Sequence, residues 1–212
     1  MQPFTRLTAI AAPMPKPNIN TDDIYPGPMA SSVGRKRPHE FMVRGKMGPN
    51  AFAALRWDDE MEPRPDFILN QPPYDRAQIL VTGPNFGCGS SREMAVWCLE
   101  EIGIRCLIGS SFGDIFFNNC FKNGVLPIRL SPPEVETLLA LAADPEKAEI
   151  TVDLEAKTVI GADGKTRPFD IAEYYREMLL QGLNEISATR ARLPRIEAFE
   201  RGYHGERPWL PA

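Results

Sequence analysis

The chain has 212 residues and carries 24 Lys and Arg against 28 Asp and Glu, a formal charge of −4. That balance gives no electrostatic reason to bind nucleic acid or an anionic membrane, and 43% hydrophobic with 25% charged residues excludes global disorder. No apolar run approaches the roughly 20 residues that span a bilayer, and the opening MQPFTRLTAIAAPM is a poor signal peptide, so the expected location is the cytoplasm. At this length roughly 70% of the unfolded surface can be buried, enough for a core without covalent staples. The four cysteines, Cys88, Cys98, Cys106 and Cys120, form no Cys-x-x-Cys pair. Cys98 and Cys106 sit in apolar segments and read as small buried hydrophobes. Only His39 and His204 are present, neither near a cysteine in sequence, so no zinc pattern is legible and this chain is expected to bind no metal of its own.

In chain order, residues 4–11 predict a first strand. Residues 13–38 are crowded with Pro, which fixes φ and removes donors, and predict a long loop ending in Arg35-Lys36-Arg37. Residues 40–60 are weakly helical and 61–77 read as loop. The pattern sharpens at 78–82 (QILVT), a buried strand closed by Gly83-Pro84. A Gly-rich turn, GPNFGCGS, follows at 83–90. Residues 92–102 have helical periodicity and stop at Gly103. A strand at 105–108, a helix at 112–122 and a strand at 125–130 complete a βαβαβ series, which argues for parallel pairing with right-handed crossovers. Pro132-Pro133 opens a helix to 143. Residues 148–154 and 157–168 predict a hairpin around Ala162-Asp163-Gly164. An amphipathic helix is predicted over 170–183 and a last helix over 194–201. One domain is expected over 1–212, with the Pro-rich loop at about 13–38 and a helical C-terminal appendage at about 170–203.

The sharpest chemical feature is Asn85-Phe86-Gly87-Cys88-Gly89-Ser90-Ser91-Arg92-Glu93, between a strand and a helix. Ligands bind outside the carboxyl ends of strands in open α/β sheets, and a helix N-terminus presents free N–H groups to anions. Ser90 and Ser91 add hydroxyls, and Arg92 adds a fork suited to a carboxylate. A plainer reading stands beside this one: Ser90-x-x-Glu93 is a capping box, with Ser90 spent on orphan amides. Arg92 weighs against it, because a cation in the first turn opposes the helix dipole unless an anion is bound. The turn is neither a Walker A loop nor a Gly-x-Ser-x-Gly elbow. Asn20-Thr21-Asp22-Asp23-Ile24 reads as an Asx turn or as a carboxylate aimed at a shared site. Asp114 and Phe116-Phe117 read as helix start and core.

These segments resemble the small subunit of 3-isopropylmalate dehydratase, the swivel domain of the aconitase superfamily. The resemblance rests on NTDDI at 20–24, PDFILNQP at 65–72, NFGCGSSRE at 85–93 and SFGDIFFNNCFKNGVLPI at 111–128, with a weaker match in TVDLEAKTV at 151–159. It implies an α/β fold of the swivelling β/β/α type, a mostly parallel sheet flanked by helices. It implies a hydro-lyase half that isomerises 2-isopropylmalate to 3-isopropylmalate by dehydration and rehydration in leucine biosynthesis, active only with a large subunit that holds a [4Fe–4S] cluster. By that resemblance Ser90 is the catalytic base, Ser91 and Arg92 bind substrate carboxylate, Thr21 and Asp22 lie at the shared site, and Arg35 is the nearest match to a further substrate-binding cation. Two departures stand out. Met94 replaces the family's His after Ser-Ser-Arg-Glu, and Ile24-Tyr25-Pro26-Gly27-Pro28 stands where the family usually has Ile-Ile-Pro-Ala-Arg. A paralogue acting on another malate, 2-methylmalate or 2,3-dimethylmalate, therefore stays open. So do a stand-alone anion-binding module and a serine hydrolase using His39 or His204.

Overall fold

The computed structural model of the protein describes residues 1–37, 42–207 and Trp209. The chain opens with β1 (Arg6–Met14) and then the short helices α1 (Thr21–Ile24), α2 (Ser32–Lys36) and α3 (Ala53–Arg56). The βαβαβ series follows as β2 (Ile79–Thr82), α4 (Glu93–Glu101), β3 (Cys106–Gly109), α5 (Asp114–Lys122) and β4 (Leu126–Arg129). Next come α6 (Pro132–Ala142), β5 (Glu149–Asp153), β6 (Thr158–Ile160), β7 (Thr166–Pro168), α7 (Glu173–Gln181), α8 (Glu185–Ala191) and α9 (Leu193–Glu206).

One seven-stranded sheet runs β4-β3-β2-β1-β5-β6-β7. Its parallel part is β4-β3-β2-β1, with Ile79 opposite both Ala11 and Cys106. β1 is the hinge of the sheet, because its first half pairs antiparallel with β5 while its last residues pair parallel with β2. β2 and β3 are buried along their whole length, as parallel strands covered on both faces must be. Alternation along them splits the core in two. Leu80 and Leu107 face one cluster with α4 and Phe116, while Ile79, Val81, Cys106 and Ile108 face the other with α6, β5 and α7. No described helix is long and apolar enough to cross a membrane.

The α/β class and the parallel series follow the sequence expectation. Three elements differ. The 13–38 stretch begins inside β1 and folds into α1 and α2, because Asn20 and Ser31 cap them by accepting N–H groups of the first turn. The expected hairpin at 148–168 is a three-stranded meander, since Leu154–Lys157 makes a turn of its own between β5 and β6. The last segment holds two helices, α8 and α9, in which no residue is buried. Asn184 starts α8 with a capping box that the hydrophobic pattern did not mark. His39 lies outside the described residues.

Leu107 is fully buried at the centre of the sheet. Leu107→Ala is expected to destabilise the fold by about 2–5 kcal/mol, read as a lower urea midpoint at unchanged slope.

Candidate functional site

The parallel strands deliver three loops to one edge of the sheet: 15–20 after β1, 83–92 after β2 and 110–113 after β3. This is the carboxyl edge, where open α/β sheets bind ligands. The middle loop is gripped from both sides. On one side Asn18 N–H donates to Pro84 C=O at 2.9 Å, Gly87 N–H to Ile19 C=O at 2.7 Å and Thr21 N–H to Cys88 C=O at 2.9 Å. On the other, Asn85 N–H donates to Ser111 Oγ at 2.8 Å and Gly113 N–H to Phe86 C=O at 2.9 Å.

The glycines here are demanded by geometry. Gly87 has φ +71°, and a Cβ there would sit 2.2 Å from the Phe116 ring. At Gly113 a Cβ would meet the Gly87 carbonyl oxygen at 2.5 Å. The turn therefore lies flat on the start of α5, and its next residues are pushed outward.

Those next residues are Ser90 and Ser91, both exposed. α4 begins only at Glu93, with Arg92 as its extended N-cap (φ −120°, ψ 103°) and no side-chain cap. The capping box expected of Ser90 does not form. Glu93 instead accepts from Asn123 Nδ2 at 2.8 Å, and Asn123 Oδ1 accepts from Trp97 Nε1 at 2.9 Å. The Ser90 hydroxyl makes no hydrogen bond to any described residue. Its carbonyl is held, accepting from Thr21 Oγ1 at 2.9 Å. Thr21 is 1% exposed, so its hydroxyl is committed to the backbone of the Ser90 turn.

Arg92 is the N-cap residue rather than a first-turn residue, but it still lies at the positive end of the helix, and a carboxylate partner offsets that conflict. Its guanidinium is ion-paired with Asp22 and approaches Tyr25 C=O at 3.4 Å. Thr21, Asp22, Ser90 and Arg92 are thus linked directly, with Ser91 between the last two. Arg35 belongs to a different contact, a 2.6 Å ion pair with Asp59 in which both partners are exposed. Sequence reasoning missed two residues. Tyr25 is 3% exposed and its carbonyl lies 3.4 Å from the Arg92 guanidinium, and the signal available was an aromatic directly after the Asx loop. Phe116 was read as core without its second role as the wall against Gly87. His204 sits on α9 with its ring against Tyr203, and no hydrogen bond joins it to Ser90 or Ser91.

With Asp22 drawn aside, the arrangement is an open anion site: a half-buried guanidinium, two exposed hydroxyls and the Glu93 and Met94 N–H groups that open the nine-residue α4. Comparison with known proteins gives the family. The model for the aconitase C-terminal domain matches residues 1–133, and the LeuD_N model matches 136–173. Among curated relatives, the 3-isopropylmalate dehydratase small subunit of Mesorhizobium japonicum is 46% identical over 99% of this chain and 100% of its own length. That of Gluconobacter oxydans is 47% identical over 100% and 97%.

The chain belongs to the 3-isopropylmalate dehydratase small-subunit family.

A solved 3-isopropylmalate dehydratase (LeuD) from Methanocaldococcus jannaschii shares the fold, with a TM-score of 0.64 at 22% identity over 91% of this chain and 99% of that one. Against the family pattern, Met94 lies in the first turn of α4 and packs against the core, so its departure from His changes packing behind the site. Tyr25 is buried and its carbonyl approaches the Arg92 guanidinium, so the other departure touches that cation.

The donor set of this chain does not fit an iron–sulfur cluster. Cys98, Cys106 and Cys120 are buried, and burial pushes all three thiols well above their ordinary range, away from the thiolate a cluster needs. Only Cys88 reaches partway to the surface, and among the described residues no three His, Cys, Asp or Glu converge on a point.

Burial, more than the neighbouring Cys98, pushes the Tyr25 phenol up to about 12, and Arg92 opposes the shift. The unfolded chain ionises first, so this contribution to stability is complete below about pH 10 and is lost as pH rises toward 12. Ultraviolet titration is expected to show a late tyrosinate with a midpoint of about 12 that Tyr25→Phe removes.

Proposed function

We propose that this chain is the small subunit of a cytoplasmic hydro-lyase that interconverts 2-isopropylmalate and 3-isopropylmalate in leucine biosynthesis. It works with a large subunit expected to hold a [4Fe–4S] cluster. The observation that carries this reading is the Ser90 hydroxyl: exposed, uncapped, fixed through its own carbonyl, and two residues from a guanidinium.

Each residue has a part in this reading. Substrate carboxylate displaces Asp22 and takes the Arg92 fork, where bidentate geometry orients it. Ser91 adds a hydroxyl to the same group. Thr21 keeps the Ser90 turn in place, and Asp22 holds Arg92 until substrate arrives. As its alkoxide, Ser90 Oγ takes the proton from the carbon next to the carboxylate; the C–H electron pair becomes the second bond of the alkene as the C–O bond on the neighbouring carbon breaks and its hydroxide leaves. Rehydration reverses both changes, hydroxide adding to one carbon and Ser90 returning the proton to the other. A serine hydroxyl is a weak base, so its alkoxide needs nearby positive charge. Arg92 and the amide end of α4 supply it. Arg35 is proposed for a second carboxylate. Its exposed pair with Asp59 is worth about 0–1 kcal/mol, so exchanging that partner costs little.

The test is reconstitution with a cluster-loaded large subunit, following alkene formation from 2-isopropylmalate, 2-methylmalate and 2,3-dimethylmalate. Turnover is expected only with both chains and best on 2-isopropylmalate; a better rate on a smaller malate assigns the Tyr25–Pro28 departure to specificity. Ser90→Ala is expected to leave assembly intact and lower kcat about 10²–10⁴-fold. Arg92→Lys is expected to raise KM more than it lowers kcat, since the planar fork is lost. Normal turnover by Ser90→Ala would overturn the assignment of the base.

A further inference from the structure

A cavity of about 740 Å³ lies away from the Ser90 turn. It opens between α5, the end of β4, the segment after β7 and the start of α7, and no residue of 15–25 or 83–92 lines it. Its volume falls in the range of small-molecule sites.

One wall is aromatic and already ordered. Phe121 stacks on Tyr175 with ring centroids 4.3 Å apart and planes 8° apart, and Phe117 meets Phe121 edge-on at 5.0 Å. At the carboxyl end of β4 the Arg129 guanidinium lies over the Phe117 ring, 3.9 Å from its centroid. Stacking fixes the plane of the fork without using its N–H groups. Those groups have no hydrogen-bond acceptor among the described residues. The nearest carboxylate oxygen, on Asp114, is 3.8 Å away on a side chain that is 96% exposed. Two further carboxylates line the cavity, and they differ. Glu134 is occupied, accepting from Ser131 N–H at 3.1 Å and from Ser131 Oγ at 2.6 Å. Asp170 has neither a hydrogen bond nor an ion pair with any described residue.

A preset guanidinium, an unengaged carboxylate and an aromatic wall form a site of mixed charge with an apolar body. A simple carboxylate would satisfy Arg129 and be repelled by Asp170; a simple amine would do the reverse. We propose that this cavity binds a zwitterionic amino acid with an apolar side chain, its carboxylate on Arg129, its ammonium toward Asp170 and its side chain against Phe117, Phe121 and Tyr175. The site is separate from the one assigned to the dehydratase reaction and stands whether or not that assignment holds.

The test compares three probes that share one ring: L-phenylalanine, 3-phenylpropionate and 2-phenylethylamine. Each is titrated into the full chain while backbone amide shifts of residues 117–131 and 168–175 are followed. L-Phenylalanine is expected to bind about tenfold or more tighter than either single-charge probe, as expected when a second charged group is matched. Arg129→Gln is expected to weaken L-phenylalanine and 3-phenylpropionate about tenfold and leave 2-phenylethylamine unchanged; Asp170→Asn is expected to do the converse. Both side chains are solvent-accessible, and an unchanged amide spectrum in the core strands confirms each variant's fold. No saturable shift by L-phenylalanine up to about 10 mM, equal binding of all three probes, or binding indifferent to both substitutions would each overturn the proposal.

Discussion

Everything at the candidate site depends on one backbone zipper. Three main-chain hydrogen bonds tie Asn18, Ile19 and Thr21 to Pro84, Gly87 and Cys88, and the Thr21 side chain adds a fourth to Ser90 C=O. Two loops from neighbouring parallel strands thereby behave like one more short pair of strands beyond the sheet edge. Their polar backbone groups are satisfied by each other, which allows a tight turn to sit half-buried without orphaned donors. The side chains of Ser90 and Ser91 are then the part of the turn left for something else to use.

The rest of the fold explains how the zipper is held. β1 and β2 pair in register through Met14 and Thr82, so the loops leave the sheet side by side. Beneath them the aromatic packing of Phe86 on Phe116, 5.6 Å apart and edge-on, fixes the turn against α5. A Cβ at Gly87 or Gly113 would break that contact. Behind Arg92, the Glu93–Asn123–Trp97 network anchors the start of α4 to the end of α5, so the guanidinium projects from a braced helix start. The Asp22 pair then occupies a cation that has no other carboxylate partner among the described residues.

The sequence exposes this unevenly, for physical reasons. The strands of the parallel part were legible because burial on both faces leaves unbroken apolar runs such as QILVT. The Gly-rich turn was legible because positive φ and close approach exclude other residues. The role of Ser90 was not decidable locally, since Ser-x-x-Glu is equally a capping box. What decides it is Asn123, thirty residues downstream, which engages the Glu93 carboxylate. The Arg92–Asp22 pair spans 70 positions and has no periodic signature. The α1 and α2 turns were hidden inside a Pro-rich stretch, where single Asn and Ser caps decide the outcome over runs too short for periodicity to show. The cavity at Arg129 was invisible because its walls come from three separated stretches of the chain, 117–121, 129–134 and 168–175.

The most direct test of the central claim is amide hydrogen exchange on the chain alone, read at Gly87 and Thr21. Their N–H groups donate to Ile19 and Cys88 across the zipper. If the site is built into this subunit, both amides exchange as slowly as the neighbouring amides of β2, without any partner present. Exchange at the rate of an open loop would contradict the account, and would mean that the Ser90 turn takes shape only when another subunit supplies its other wall.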